Sequence, residues 1–183
     1  MSEKLSGFRM PGEWEKQKSV WIAWPYNKND WPGLYKFIPE VILEIIYKIS
    51  KHQKINLIIN NKTESIKKIF KSSKIKNVSF HKIKTDRIWL RDSGPIFLIN
   101  KKYKKKIILN FVFNGWAKYK NYKNDNKIND KLSKIIKLKK INPAIKKNGK
   151  SRKVTMEGGA FDVNGAGTIL LTEECLLSKI QER

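Results

Sequence analysis

A chain of 183 residues with 40% hydrophobic content is long enough for a domain with its own core and too apolar for a disordered segment. It has no apolar run long enough to cross a bilayer, and its single cysteine, Cys175, excludes an internal disulfide and suits a reducing compartment. The 40 Lys and Arg residues against 16 Asp and Glu give a formal charge of +24, which first suggests a polyanionic partner.

The opening MSEKLSGFRMPGEW lacks the apolar core of a signal peptide, so a cytoplasmic location is expected. KSVWIAWP (Lys18 to Pro25) reads as a buried strand ended by proline, and YNKNDWPG as a loop rich in turn formers. Phe37 to Ser50 has helical spacing, with Val41, Ile45, Ile46 and Ile49 expected on one face. Lys54 to Asn60 is a strand, and Thr63 to Ser72 a helix with Thr63 as a cap. Asn77 to Ile83 is a second β-rich run, with His81 expected on its outer face. PIFLIN (Pro95 to Asn100) and KIILNFVFN (Lys106 to Asn114) are strands joined by a basic hairpin-like link. Lys127 to Lys140 has helical periodicity. The segment from Val154 reads as strand, Asn-Gly turn, strand and the start of a helix around Cys175. Strands and helices alternate with hairpins inserted, which predicts an α/β fold with mixed sheets.

The charge is almost entirely lysine; the arginines are Arg9, Arg87, Arg91, Arg152 and Arg183. Base and phosphate recognition favours the planar arginine fork. The lysines are also spread along the chain among Asn and Ile, a bias that an AT-rich genome produces without functional selection. A solvated lysine surface is therefore expected, and no nucleic-acid partner.

Four clusters put aromatic or acidic groups at the ends of predicted strands, where loops gather into sites. They are WIAWPYNKNDWPG (Trp21 to Gly33), TDRIWLRDSGP (Thr85 to Pro95), FNGWAKYKNYKND (Phe113 to Asp125) and MEGGAFDVNGAGT (Met156 to Thr168). Carboxylates from Asp86, Asp92, Glu157 or Asp162 could hold a planar guanidinium by paired charge-assisted hydrogen bonds. Tryptophan faces could stack on the same cation. Trp31 and Trp116, in polar loops, are the better ligand candidates, while Trp21 and Trp24 fit a core. Gly158 and Gly159 would let the backbone approach a ligand closely. Asp92 beside Arg91, and Asp86 beside Arg87, could equally be ion pairs supporting a turn. His52 reads as solvated, and Cys175 as a buried small hydrophobe.

Taken together, MPGEWEKQKSVWIAWPYNKNDWPG, DRIWLRDSGP, FVFNGWAKY, MEGGAFDVNGAGT and LLTEECLLSKIQER resemble, in order, the agmatine deiminase family, which includes bacterial peptidylarginine deiminases. The resemblance implies a pentein-type α/β propeller of ββαβ units, here incomplete, with residues 1–183 as the N-terminal part of a single catalytic domain. It implies hydrolysis of a guanidinium to a urea and ammonia without metal or organic cofactor; from agmatine the product is N-carbamoylputrescine, a step toward putrescine. It makes Asp92 a guanidinium ligand, Trp89 an aromatic wall and Glu157 the acidic partner of a catalytic histidine; beside these, Trp116 and Trp31 stay candidate substrate contacts from their polar loops, and Asp86 is open between supporting the ligands and touching substrate. The family's nucleophilic cysteine and catalytic histidine lie in motifs that neither Cys175, His52 nor His81 occupies. The chain ends at QER inside a motif that normally continues, so it is expected to be inactive alone. A homo-oligomer or a missing C-terminal half is the expected partner, with no membrane association. The alternatives are a peptidylarginine deiminase and a non-catalytic basic remnant that binds RNA or another polyanion.

Overall fold

The computed structural model describes residues 5–60, 63–102 and 104–177, and divides into two compact units. A sheet unit comprises Lys16–Leu90; a hairpin unit comprises Met1–Glu15 with Arg91–Arg183.

The sheet unit alternates strand and helix. It runs β1 (Ser19–Ala23), α1 (Ile38–Ser50), β2 (Lys54–Ile59), α2 (Thr63–Ser72) and β3 (Val78–Lys82). The three strands are parallel in the order β1-β2-β3, with Trp21 opposite Asn56 and Asn56 opposite Ser79. β2 is the central strand, and Ile55, Leu57, Ile58 and Ile59 are all buried. A strand covered on both faces reads as a near-continuous apolar run, and KINLII does so after Lys54 except at Asn56, whose Nδ2 donates to Ser19 Oγ at 2.9 Å. Trp24, Ile46, Ile55, Leu57, Ile59, Ile66 and Phe70 form the core. α1 begins with Pro39 in its first turn beside Glu40 and carries Lys48 in its last turn, which suits the dipole at each end. The predicted apolar stripe of α1 is rotated from the observed one. Ile42, Leu43, Ile46 and Ile49 meet the core, whereas Val41 and Ile45 are exposed. Both stripes satisfy helical spacing, and only the sheet selects between them. His81 lies, as expected, on the face of β3 opposite Val78 and Phe80, which meet the core, but that face is partly covered: its Nε2 lies 3.1 Å from Asn56 Oδ1 and its ring 4.8 Å from that of Trp21. Burial, with Lys54 nearby, pushes its pKa down. His52 is exposed as expected. α2 keeps its predicted span, but the residue preceding Thr63 lies outside the described residues.

The hairpin unit starts from α3 (Leu90–Ser93), a single turn whose first residue closes the sheet unit. β4 (Ile96–Asn100) and β5 (Lys105–Leu109) pair antiparallel, and α4 (Ile128–Ile135) leads to β6 (Lys139–Ile141), which pairs parallel to β5. β7 (Ala144–Lys147) and β8 (Lys150–Lys153) form a hairpin, as do β9 (Phe161–Val163) and β10 (Ile169–Leu171), before α5 (Glu173–Leu177). The expectations depart from the structure here at four points. The helix expected to Lys140 stops at Ile135: Lys137 turns left-handed (φ 55°) and the Leu138 amide returns to the Ser133 carbonyl, a Schellman-type ending. The chain then joins the free edge of β5, because an open ladder outweighs helical spacing in a β-branched, lysine-rich run. The β7–β8 hairpin was not predicted, although Asn148-Gly149 between its strands is a turn signal. The predicted run to Asn114 ends as a strand at Leu109, and Val112 instead bridges Thr155. Cys175, expected to be buried, is half-buried in α5.

Among the described residues the strands close no barrel, and no helix is long and apolar enough to cross a membrane.

Candidate functional site

In the hairpin unit, hydrogen bonds fasten segments of three of the four clusters together. The Val112 amide donates to the Val154 carbonyl at 2.9 Å and the Met156 amide to the Val112 carbonyl at 3.2 Å, joining the FVFNGW and MEGG segments. Arg91 Nε donates to the Gly158 carbonyl at 3.0 Å, joining MEGG to RDSGP. The join is close. A Cβ on Gly158 would overlap the Arg91 carbonyl oxygen, and one on Gly159 would overlap Asp92 Oδ1. Gly158 thus makes room for the Arg91 carbonyl and Gly159 for the Asp92 carboxylate, and neither is there for turn geometry alone. Glu157 precedes them in extended conformation, 2% exposed, and its carbonyl accepts from the Ala160 amide. Two carboxylate residues, Asp92 and Glu157, thus belong to segments in van der Waals contact.

Buried Asn129 supports the turn after Asp92. Its Nδ2 donates to the Gly94 carbonyl at 3.3 Å and to Asn110 Oδ1 at 2.9 Å, tying α4 to that turn and to the end of β5. Arg91 also grips Asp162 Oδ1 at 3.0 Å and Glu13. Asp162, one of the candidate ligands, is thereby an exposed ion-pair partner of Arg91.

Trp116 sits in the same unit on an unusual backbone. Gly115, Trp116 and Ala117 are consecutively left-handed (φ 68°, 59° and 56°). Each non-glycine residue there costs about 1–2 kcal/mol, and such strain concentrates at functional positions. Asn114 Oδ1 accepts from the Ala117 amide and holds the turn. Trp116 packs edge-on to Phe113 at 5.1 Å and to Tyr119 at 5.8 Å.

The sheet unit carries the remaining candidates, on two loops that leave the carboxyl ends of parallel strands, the usual place for a site in such a sheet. Asn60, just past β2, donates to the Thr85 carbonyl at 3.0 Å and accepts its amide at 2.9 Å, and Tyr26 donates to the same carbonyl. These bonds fix the start of the segment bearing half-buried Asp86. Arg87 reaches Asp30 on the other loop at 2.5 Å, with side chains 9% and 2% exposed. Burial pushes the Asp30 carboxyl up, against the downward pull of Arg87. The pair brings Trp31 and Trp89 side by side, ring centres 6.4 Å apart and planes 28° from parallel, with Tyr35 flanking Trp31. Trp89 is 40% exposed. Trp24 is core as expected, while Trp21 is half-buried against His81.

A cleft of about 270 Å³ beside α1, lined by Glu40, Leu43, Tyr47 and Ile75, contains none of these residues. Among the described residues, no group of three or more His, Cys, Asp and Glu side chains could hold a metal ion.

The profile of the Porphyromonas-type peptidyl-arginine deiminase family matches residues 9–183. The chain belongs to that family. This deiminase-family chain is 31% identical over 184 aligned residues to a Streptococcus mutans relative that carries the name agmatine deiminase, covering 95% of this chain and 46% of the relative. A crystal structure assigned as an agmatine deiminase superposes with a TM-score of 0.83 at 30% identity, over 96% of this chain and 47% of that one. The agmatine deiminase of Enterococcus faecalis superposes with a TM-score of 0.78 at 27% identity, over 96% and 46%. The chain therefore has the mixed α/β fold of these deiminases and spans about half the length of the curated relatives it matches.

Sequence reasoning missed Glu13, Asp30 and Asn129 as supports of the candidate residues. Their partners lie 78, 57 and 35 residues away in the chain. No local pattern marks such contacts.

Proposed function

We propose that these residues belong to one catalytic domain that hydrolyses the guanidinium of agmatine to a urea, and that this chain supplies guanidinium-binding groups. The supporting observation is the seating of Asp92 on Gly159, next to buried Glu157, in a chain of this family. A carboxylate backed by a glycine of a neighbouring segment can accept charge-assisted hydrogen bonds from a planar cation. In this reading Asp92 binds the guanidinium, Glu157 accepts protons from it or from the catalytic histidine, and Trp116 contacts substrate from its strained turn. Trp31 and Trp89 offer an aromatic face to the cation, and Asp86 supports them or contacts substrate.

Turnover needs a thiolate nucleophile and a histidine. Cys175 follows Glu173 and Glu174 in α5, not the electropositive setting of a reactive thiolate. His81 is occupied by Asn56 and Trp21. The reading therefore assigns both catalytic groups to polypeptide other than these 183 residues, a continuation of the chain or a second chain. A second substrate reading, peptidyl-arginine, draws on the family's own description.

Calorimetry of the purified 183-residue chain with agmatine, and with a blocked arginine peptide, tests this. Agmatine is expected to bind without ammonia release, and Asp92→Asn to abolish binding. Tighter binding of the peptide would shift the reading to peptidyl-arginine. Ammonia release lost in Cys175→Ser would refute the assignment of the nucleophile.

A further inference from the structure

We propose that Arg91 is the positioning residue for Asp92: its guanidinium, gripping the Gly158 carbonyl, Asp162 and Glu13, fixes α3 so that the Asp92 carboxylate sits on Gly159 beside Glu157. The inference rests on the reading of Asp92 as the guanidinium ligand.

One side chain here joins three stretches of the hairpin unit. Nε reaches Gly158 at 3.0 Å, Nη2 reaches Asp162 at 3.0 Å and Nη1 reaches Glu13. Three donors pointing in three directions require a planar fork; a lysine ammonium on a flexible stem cannot hold that geometry. The side chain is 53% exposed, and Glu13 and Asp162 are 53% and 67% exposed. Ion pairs this wet contribute little to stability. Their value is geometric: Arg91 is covalently adjacent to Asp92, and its carbonyl already abuts Gly158 while Asp92 Oδ1 abuts Gly159. The guanidinium bond to the Gly158 carbonyl closes a small loop in which neither the dipeptide Arg91-Asp92 nor the peptide Gly158-Gly159 can slide along the other. The RD and EGG motifs are thus two halves of one fitting, and Asp162 in FDV and Glu13 in PGEW are its outer fasteners.

The test is nuclear magnetic resonance and calorimetry on the full 183-residue chain. The readouts are the carboxyl carbon resonance of Asp92, assigned with Asp92→Asn, the amide resonance of Gly159, and agmatine affinity. Arg91→Lys keeps the charge and loses the fork. It is expected to move both resonances, leave those of β1, β2 and β3 unchanged, and weaken agmatine by about tenfold or more, the scale on which small misplacements register. Glu13→Gln and Asp162→Asn should move the same resonances in the same direction by less. Unmoved Asp92 and Gly159 resonances in folded Arg91→Lys would overturn the proposal, as would weakened agmatine binding without any shift. If the wild-type chain binds no agmatine, the guanidinium reading falls while the resonances still decide the role of Arg91. If Arg91→Lys does not fold, the Glu13→Gln/Asp162→Asn double variant, which retains Arg91, decides by the same criteria.

Discussion

The sheet unit and the hairpin unit are held together by different physics. In the former, a central strand buried on both faces carries Ile55, Leu57, Ile58 and Ile59, and two helices close over it. In the latter, strands of three to five residues are tied by polar clasps: Arg91 to Gly158, Asn129 to Gly94, Arg9 to Glu15. Apolar burial is non-directional and fixes a scaffold, while hydrogen-bonded clasps fix single atoms. The carboxylates proposed for guanidinium binding lie where the clasps are. The aromatic face lies on the scaffold, at its strand ends, and there too a buried polar pair, Arg87–Asp30, sets it.

The contrast is broken most forcefully in the scaffold. Leu57→Ala removes a fully buried side chain from the central strand and should cost about 4 kcal/mol by urea unfolding. A cost below about 1 kcal/mol would mean that the sheet unit is not held by this core. Asp30→Asn comes next, at about 3 kcal/mol, because Arg87, only 7% exposed, loses its charge-assisted bond to Asp30. It should also disturb the Trp31–Trp89 stack, read as a change in tryptophan near-ultraviolet dichroism. An unchanged spectrum would show that the ion pair does not set the aromatic face.

Between these and the weakest effects stands Gly159→Ala. Its methyl would land on Asp92 Oδ1. Overpacking of this kind costs about 2 kcal/mol, but the larger consequence is for binding, since the carboxylate must leave its seat. Agmatine affinity should fall by more than the stability loss accounts for. If Gly159→Ala binds agmatine as the wild type does, the seat is not part of recognition.

The same division explains what the sequence discloses. β1, α1, β2, α2 and β3 follow from periodicity, because a strand buried on both faces and an amphipathic helix leave local patterns. Even there, the stripe of α1 is only half legible: Ile46 and Ile49 meet the core as expected, while Ile42 and Leu43 take the places expected of Val41 and Ile45, because the run offers adjacent apolar residues to choose from. In the hairpin unit the pattern is ambiguous. Lys139–Ile141 fits helical spacing and becomes a strand because β5 has an open edge. The site is legible as residue types: Asp92, Glu157 and the tryptophans stand out in a lysine-rich chain. Their fasteners are not, because Glu13, Asp30 and Asn129 are unremarkable until the fold brings them to their partners. His81 shows the converse, a chemically suggestive residue absorbed by packing against Trp21.

The smallest effect tests the weakest clasp. Arg9 holds Glu15 through both guanidinium nitrogens, donates to the Gly165 carbonyl at 3.0 Å, and the Gly12 amide donates to Glu15 at 2.9 Å. The Arg9 hydrogen bonds, against some desolvation, lower the Glu15 pKa from 4.5 to about 2. A carboxyl depressed in the folded state binds fewer protons there than in the unfolded chain between those two values, so stability rises with pH across that window. The contribution is complete above pH 4.5 and is lost as pH falls toward 2. Glu15→Gln should therefore lower the urea midpoint at neutral pH and converge on the wild type near pH 2. Both side chains are 30% exposed, and added salt should shrink the gap. Parallel midpoint curves from pH 2 to 6 would show that Glu15 titrates alike in both states. The N-terminal segment would then be fastened to the NGAG turn by the Arg9–Gly165 bond, and to β4 by its β-bridge to Ile99, rather than by charge.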